Sequence, residues 1–291
     1  MSKPVTSKRS AASLLLAALS LMLTGCLITP GKFDSTLTLN QDNSFSFAYN
    51  GELFFLALSP GAFGSGSDAE FESSDCYDSD YEERECSPEE IAEQQAEWDS
   101  EQARKKEKDA EEAKKMSALM GGIDPNDPEA GSKFAEMLQR QRGWDSVQYA
   151  GEGLFNVRYS ISGQLSHDLT FPVIEGVPMP NPFIQVILRD DNVVRVNAPG
   201  FAAQEGGGPM AGMLMGGFSQ GMSEAMAEES EDGKTGIPEM RGTFRVVTNG
   251  RILANNTDEG PAATATGETL QWYISPTTSS APTALVKLGR Q

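Results

Sequence analysis

Cysteine, histidine and tryptophan are scarce in these 291 residues: three, one and three of each. A single histidine excludes any site built on a histidine pair. A Ser-His-Asp centre would have to run through His167, which stands beside Asp168. No Gly-x-Ser-x-Gly elbow accompanies it, and no histidine or cysteine group has metal-ligand spacing. His167 therefore reads as a loop residue at the start of a strand, and no catalytic residue is assigned. Positive charge is also short. The chain has 23 Lys and Arg against 42 Asp and Glu, for a formal net charge of −19. Affinity for nucleic acid comes from Lys and Arg on phosphates, so a nucleic-acid partner is not expected. There is no glycine-rich phosphate loop with its lysine, and no fixed repeat period. Nor does the apolar run at residues 11–23, 13 residues long, reach the ~20 that a helix needs to cross a bilayer.

What the N-terminus does contain is ordered. Lys3, Lys8 and Arg9 precede the short apolar run, as in a secretory signal. The run ends in Leu23-Thr24-Gly25-Cys26, which resembles the lipobox of bacterial lipoproteins. The resemblance implies that residues 1–25 are a signal peptide cut before Cys26. It also implies a diacylglycerol on the Cys26 thiol and an acyl chain, such as palmitate, on the new amino terminus. One chain binds a membrane only marginally, at ~0.8 kcal/mol per buried methylene, whereas two or three anchor stably. Leu27, rather than Asp, follows the cysteine. In a Gram-negative source this implies the outer membrane, with the body in the periplasm. Removing residues 1–25 takes away three basic and no acidic residues, so −19 becomes −22.

The two remaining cysteines, Cys76 and Cys86, form an even remainder in an exported chain and read as a disulfide. Only nine residues lie between them, so the stabilisation is roughly 2–3 kcal/mol in the chain-entropy model. Acidity concentrates around this pair. Residues 68–112 hold 19 acidic and 5 basic residues, a net −14. Ser87-Pro88-Glu89-Glu90 has a serine cap, an early proline and a glutamate three residues on, a strong helix start. Glu101 with Lys105, and Glu111 with Lys115, have the favourable i,i+4 order. Ile91 and Trp98 supply a thin apolar face. Gly121 and Gly122 stop the helix, and Asp127-Pro128-Glu129 starts a second whose Phe134, Met137 and Leu138 share a face. The pair is expected to be an acidic helical hairpin inserted between strands.

The rest alternates in the manner of strands. Residues 26–58 hold the first strands, with Leu37 and Leu39 facing away from Thr36 and Thr38. The turn Asn40-Gln41-Asp42-Asn43 follows, then Phe45, Phe47 and Tyr49. Residues 59–147 are the acidic loop and helical insertion. Strands return in 148–199, with Asp190-Asp191-Asn192 as a hairpin turn. Residues 200–241 are a Gly/Met-rich insertion, and 242–291 close the chain in strands. Asn249-Gly250 is the strongest short hairpin signal. The expected fold is α+β: an antiparallel β sandwich or partly closed barrel.

Two stretches carry a family resemblance: Ser35-Thr36-Leu37-Thr38-Leu39-Asn40, and Gly250-Arg251-Ile252-Leu253 with Asn255-Asn256 and Thr266-Gly267-Glu268-Thr269-Leu270-Gln271-Trp272. They resemble the β-rich domain of LppM-type bacterial lipoproteins. The resemblance covers the two β ends and neither insertion. It implies an envelope-anchored β domain that takes lipid or another apolar ligand, and it brings no catalytic motif.

Metal readings compete with solvent-facing ones. Asp75, Asp78, Asp80, Glu82, Glu83 and Glu85 offer the oxygens that calcium prefers, without EF-hand spacing. Met210, Met213 and Met215, followed by Met222 and Met226, offer the thioethers that select Cu(I). The plainer reading of the methionines is an adaptable apolar flap. No cofactor is assigned. The sequence thus describes a non-enzymatic, lipid-anchored envelope protein that binds a protein partner through its acidic insertion, or an apolar or lipid ligand. The alternative is a periplasmic Cu(I)- or calcium-binding protein.

Overall fold

The computed structural model describes residues 28–59, 62, 71–78, 81–177, 182–202 and 238–289. In chain order the elements are β1 (Ile28–Leu39), β2 (Ser44–Phe55), β3 (Cys76–Tyr77), β4 (Glu83–Arg84), α1 (Pro88–Leu119), α2 (Ala130–Gln139), β5 (Trp144–Gly151), β6 (Leu154–Gln164) and β7 (Leu169–Phe171). There follow β8 (Ile184–Arg189), β9 (Val193–Asn197), β10 (Arg241–Thr248), β11 (Arg251–Asn255), β12 (Ala262–Thr264), β13 (Gly267–Ile274) and β14 (Thr283–Lys287). Two sheets form the body. One has the order β12-β13-β10-β1-β2-β6-β5 and the other β11-β14-β9-β8-β7; β3 and β4 pair separately.

The arrangement is sandwich-like and the sheets are open, which removes the partly closed barrel. Nor is it purely antiparallel. β1 lies between β2, antiparallel, and β10, parallel, with Leu37 opposite Val246. A parallel pair needs a long crossover, which everything between residues 40 and 240 supplies.

Aromatic rings join the sheets. Phe171 at the end of β7 sits 5.0 Å from Phe47, 4.9 Å from Tyr49 and 4.8 Å from Tyr159, all on the first sheet. Phe201, in the short 3₁₀ turn after β9, stacks on Phe33 at 4.3 Å and meets Phe244 at 5.6 Å. These rings are almost fully buried, and each contributes large apolar area plus ring–ring attraction. Burial also pushes the Tyr49 hydroxyl well above the usual tyrosine range, with nearby Glu52 reinforcing the shift; that hydroxyl donates to the Glu52 carbonyl at 2.8 Å.

The turn at Asn40-Gln41-Asp42-Asn43 closes the β1–β2 hairpin, with Asn43 in the left-handed region (φ 64°). Asp190-Asp191-Asn192 closes β8–β9, with Asp191 and Asn192 both at positive φ, the condition a type I′ turn imposes. Residues 53–58 finish β2 and then wind into a 3₁₀ turn.

Asn249-Gly250 is not a hairpin turn. β10 belongs to the seven-stranded sheet and β11 to the five-stranded one, so this dipeptide is where the chain changes sheets. Side chains impose the corner. Thr248 Oγ1 donates to the Leu39 carbonyl at 2.7 Å and accepts from Gly250 N at 2.9 Å. Asn249 Oδ1 accepts from Gln41 N at 2.7 Å. The local preference for a hairpin is overridden by partners some 209 residues away in the chain. Asn256 braces the other end of the switch: its Oδ1 accepts from Trp272 Nε1 and Thr283 N, and its Nδ2 donates to the Ala281 carbonyl.

Both helices expected in the acidic insertion form, and they differ in what they cover. α2 lies on the body. Ala130, Gly131, Phe134, Ala135 and Leu138 are buried, with Phe134 4.7 Å from Phe55 and 5.8 Å from Phe155. Gly131 rests against the Tyr149 ring, where a Cβ would collide. α1, in 32 residues, buries Ala113 alone.

Candidate functional site

The acidic segment is built as a clasp on the first turns of α1. Ser87 caps the helix, accepting from Glu90 N at 3.3 Å, while Glu90 Oε2 accepts from Ser87 N at 2.8 Å, a complete capping box. The same carboxylate takes Arg84 of β4 through both guanidinium arms. This contact, with the cap bonds, holds Glu90 far below the carboxylate range, at about 2. One turn on, Gln94 Oε1 accepts from Ser74 N at 2.8 Å and its Nε2 donates to the Ser74 carbonyl at 3.4 Å. A further turn on, Trp98 meets Phe71 edge to face at 6.1 Å. Glu90, Gln94 and Trp98 recur every four residues, so one helix face holds the loop. Cys76 and Cys86 close it as a disulfide, with Cα atoms 5.1 Å apart.

The face beside this one is bare. Glu89, Glu93, Glu97 and Glu101 also recur every four residues and are all exposed. From first to last they are 12 positions apart, a rise of about 18 Å. Glu101 lies 4.0 Å from Arg104, and the other three make no ion pair among the described residues. Like charges at this spacing destabilise a helix by a few tenths of a kcal/mol per pair. Of the i,i+4 pairs expected from sequence, Glu111–Lys115 forms at 3.6 Å, whereas Glu101 faces Arg104 in place of Lys105. Three large apolar side chains stand exposed on the same knob: Tyr77 at 54%, Tyr81 at 88% and Ile91 at 37%.

The other sequence candidates are scattered. His167 is exposed, with Nδ1 3.1 Å from Ser166 Oγ. Asp168 does not address it; its Oδ1 accepts from Leu188 N at 2.9 Å and so fixes the edge of β8. Asp75, Glu82, Glu83 and Glu85 are exposed, and Asp78 Oδ1 accepts from Glu82 N at 3.0 Å. Among the described residues no group of three or more His, Cys, Asp or Glu is arranged to hold a metal ion. Asp80, Cys26 and the methionines at 210, 213 and 215 lie outside the described residues. No helix among the described residues is long and apolar enough to cross a membrane.

One feature escaped the sequence reading. Where the β1–β2 and β8–β9 tips meet β11 and β14, a cleft of about 620 Å³ opens, lined by Gln41, Asp191, Val193, Arg251, Leu253, Lys287 and Gly289. Its cations come from strands that adjoin only in the folded chain. The four-glutamate stripe, in contrast, is visible at its fixed spacing in the sequence.

No family model matches the chain, and no curated protein sequence matches it. Among solved structures, one match is the folded domain of Mycobacterium tuberculosis LppM, determined by NMR. It spans 92% of this chain and 94% of that one, at 12% identity and a TM-score of 0.30. At that level of likeness, function has to be argued from this chain's own residues.

Proposed function

We propose that this chain is a lipid-anchored envelope protein that binds and does not catalyse, and that its acidic arm docks a basic protein partner. The observation that carries the reading is the pairing of a glutamate stripe, neutralised only at Glu101, with exposed aromatic and aliphatic side chains on one clasped knob. Tyr is among the side chains enriched at interface hot spots. A negative stripe steers and orients a positive partner more than it adds affinity. The clasp matters because a surface already ordered loses less conformational freedom on binding. Anchoring through Cys26 rests on the sequence alone, on the three basic residues, the short apolar run and Leu23-Thr24-Gly25-Cys26.

Two experiments test the two halves. Cys26→Ser should leave unprocessed precursor and abolish labelling by a fatty-acid analogue; continued labelling would overturn the anchor. Replacing Glu89, Glu93, Glu97 and Glu101 together by Gln should leave folding intact and release the partner from the full chain in the envelope. A partner retained at undiminished strength, or lost only when the β body unfolds, would overturn the docking assignment.

A further inference from the structure

The cleft at the sheet tips presents an electrostatic conflict. Arg251 of β11 stands directly opposite Lys287 of β14, Lys287 opposite Val193 of β9, and Val193 opposite Arg189 of β8. Residues opposite one another across strands point to the same face, and like charges placed so are destabilising. Val194, Val196, Val286 and Val186 turn inward and are buried, so this row faces outward. Arg195, one row along, stands opposite Leu285 and adds a fourth cation to the face. None of the four makes an ion pair among the described residues, and what separates them from other unpaired cations such as Lys32, Arg142 and Arg158 is that they share one face of one sheet. A chain with 42 acidic residues has thus left its densest outward row of cations on this sheet unneutralised.

The surroundings are built rather than incidental. Gln41 is pinned at the rim: its Nε2 donates to the Asn249 carbonyl at 2.6 Å and its carbonyl accepts from Gly289 N at 3.0 Å. Leu288 N donates to the Asn192 carbonyl at 2.8 Å, fixing the β8–β9 tip against the C-terminal strand. The volume falls within the roughly 300–1,000 Å³ of small-ligand sites. Leu253 and Val193 form an apolar wall, and Asp191 places one carboxylate on the rim.

We propose that this cleft binds the oxyanion, phosphate or carboxylate, of a small hydroxylated ligand. Arg251 and Lys287 hold the anion, the guanidinium offering a planar fork and the ammonium a point charge. Asp191 accepts from a neighbouring hydroxyl, and the carbon skeleton lies along Leu253 and Val193. An anion between the two cations replaces their repulsion by two attractions, so binding raises stability by linkage.

Thermal unfolding of the full chain in detergent, at constant ionic strength set with chloride, tests this with inorganic phosphate, glycerol 3-phosphate and gluconate as probes. The midpoint should rise with at least one of them, and the larger response identifies phosphate or carboxylate as the preferred anion. Lys287→Gln and Arg251→Gln, which each relieve the like-charge pair, should fold at least as stably as the parent without ligand and lose the anion-dependent rise. No rise with any of the three anions in the parent, or an equal rise in both variants, would overturn the site.

Discussion

Two helices, separated by a ten-residue connection, do opposite things. α2 buries five of its ten residues and α1 one of its 32. The difference lies in what recurs every four residues. In α2 it is Phe134 and Leu138, which lock the helix onto β2, β5 and β6. In α1 it is Glu90, Gln94 and Trp98, which hold a loop, and Glu89, Glu93, Glu97 and Glu101, of which only Glu101 makes an ion pair among the described residues, with Arg104. A long helix mostly in water draws little stability from packing. Its caps, disulfide and clasp do the work that a core does for α2, and its charged face is left free for another molecule.

That contrast can be broken most severely at Phe134. Phe134→Ala should cost about 3–5 kcal/mol, because a buried ring is replaced by a cavity. Chemical denaturation should report this as loss of the whole β body. A loss no greater than that of a surface substitution would mean that α2 is as peripheral as α1.

Removing the disulfide comes next. Cys76→Ser with Cys86→Ser should cost roughly 2–3 kcal/mol of local stability. Residues 71–78 and the first turns of α1 should lose hydrogen-exchange protection while β1, β2 and α2 keep theirs. Loss of protection in the β body would show that the clasp supports the core.

The pH dependence is smaller and has a definite sign. Glu90 is held at about 2 by Arg84 and the cap bonds, below the ordinary glutamate value of 4.5. A depressed carboxylate stabilises above its unfolded pKa, and that contribution is lost as pH falls through the folded value. The start of α1 should therefore loosen between about pH 4.5 and 2, and Glu90→Gln should flatten that change. An identical acid response in the variant would remove the cap–Arg84 contact from the account.

The smallest expected effect on stability is at Tyr81, 88% exposed. Tyr81→Ser should change unfolding by no more than about 0.5 kcal/mol, the range of surface substitutions, while weakening partner capture.

The local features were legible in the sequence. Ser87-Pro88-Glu89-Glu90 gave a capping box because every atom of that motif lies within one turn. Leu37, Leu39, Phe47 and Tyr49 alternated because one sheet face is buried. The misreadings share a different cause. Asn249-Gly250 has hairpin chemistry, but Thr248 and Asn249 bond to Leu39 and Gln41, and no local rule contains those partners. Phe134, Met137 and Leu138 were correctly placed on one face, yet what that face covers, Phe55 and Phe155, depends on the packing of the β body. The Arg251–Lys287 row is invisible in sequence for the same reason. Its members are 36 positions apart and become neighbours through sheet order.

The most direct test of the docking surface is site-specific photo-crosslinking in living cells, with the reactive side chain placed at Tyr81 or at Tyr273. Both positions are exposed, at 88% and 71%, one on the acidic knob and one on the β body. The account predicts a discrete protein adduct from position 81 that disappears when Glu89, Glu93, Glu97 and Glu101 are Gln, and none from 273. An adduct from 273 with none from 81, or an 81 adduct indifferent to the four glutamates, would contradict it.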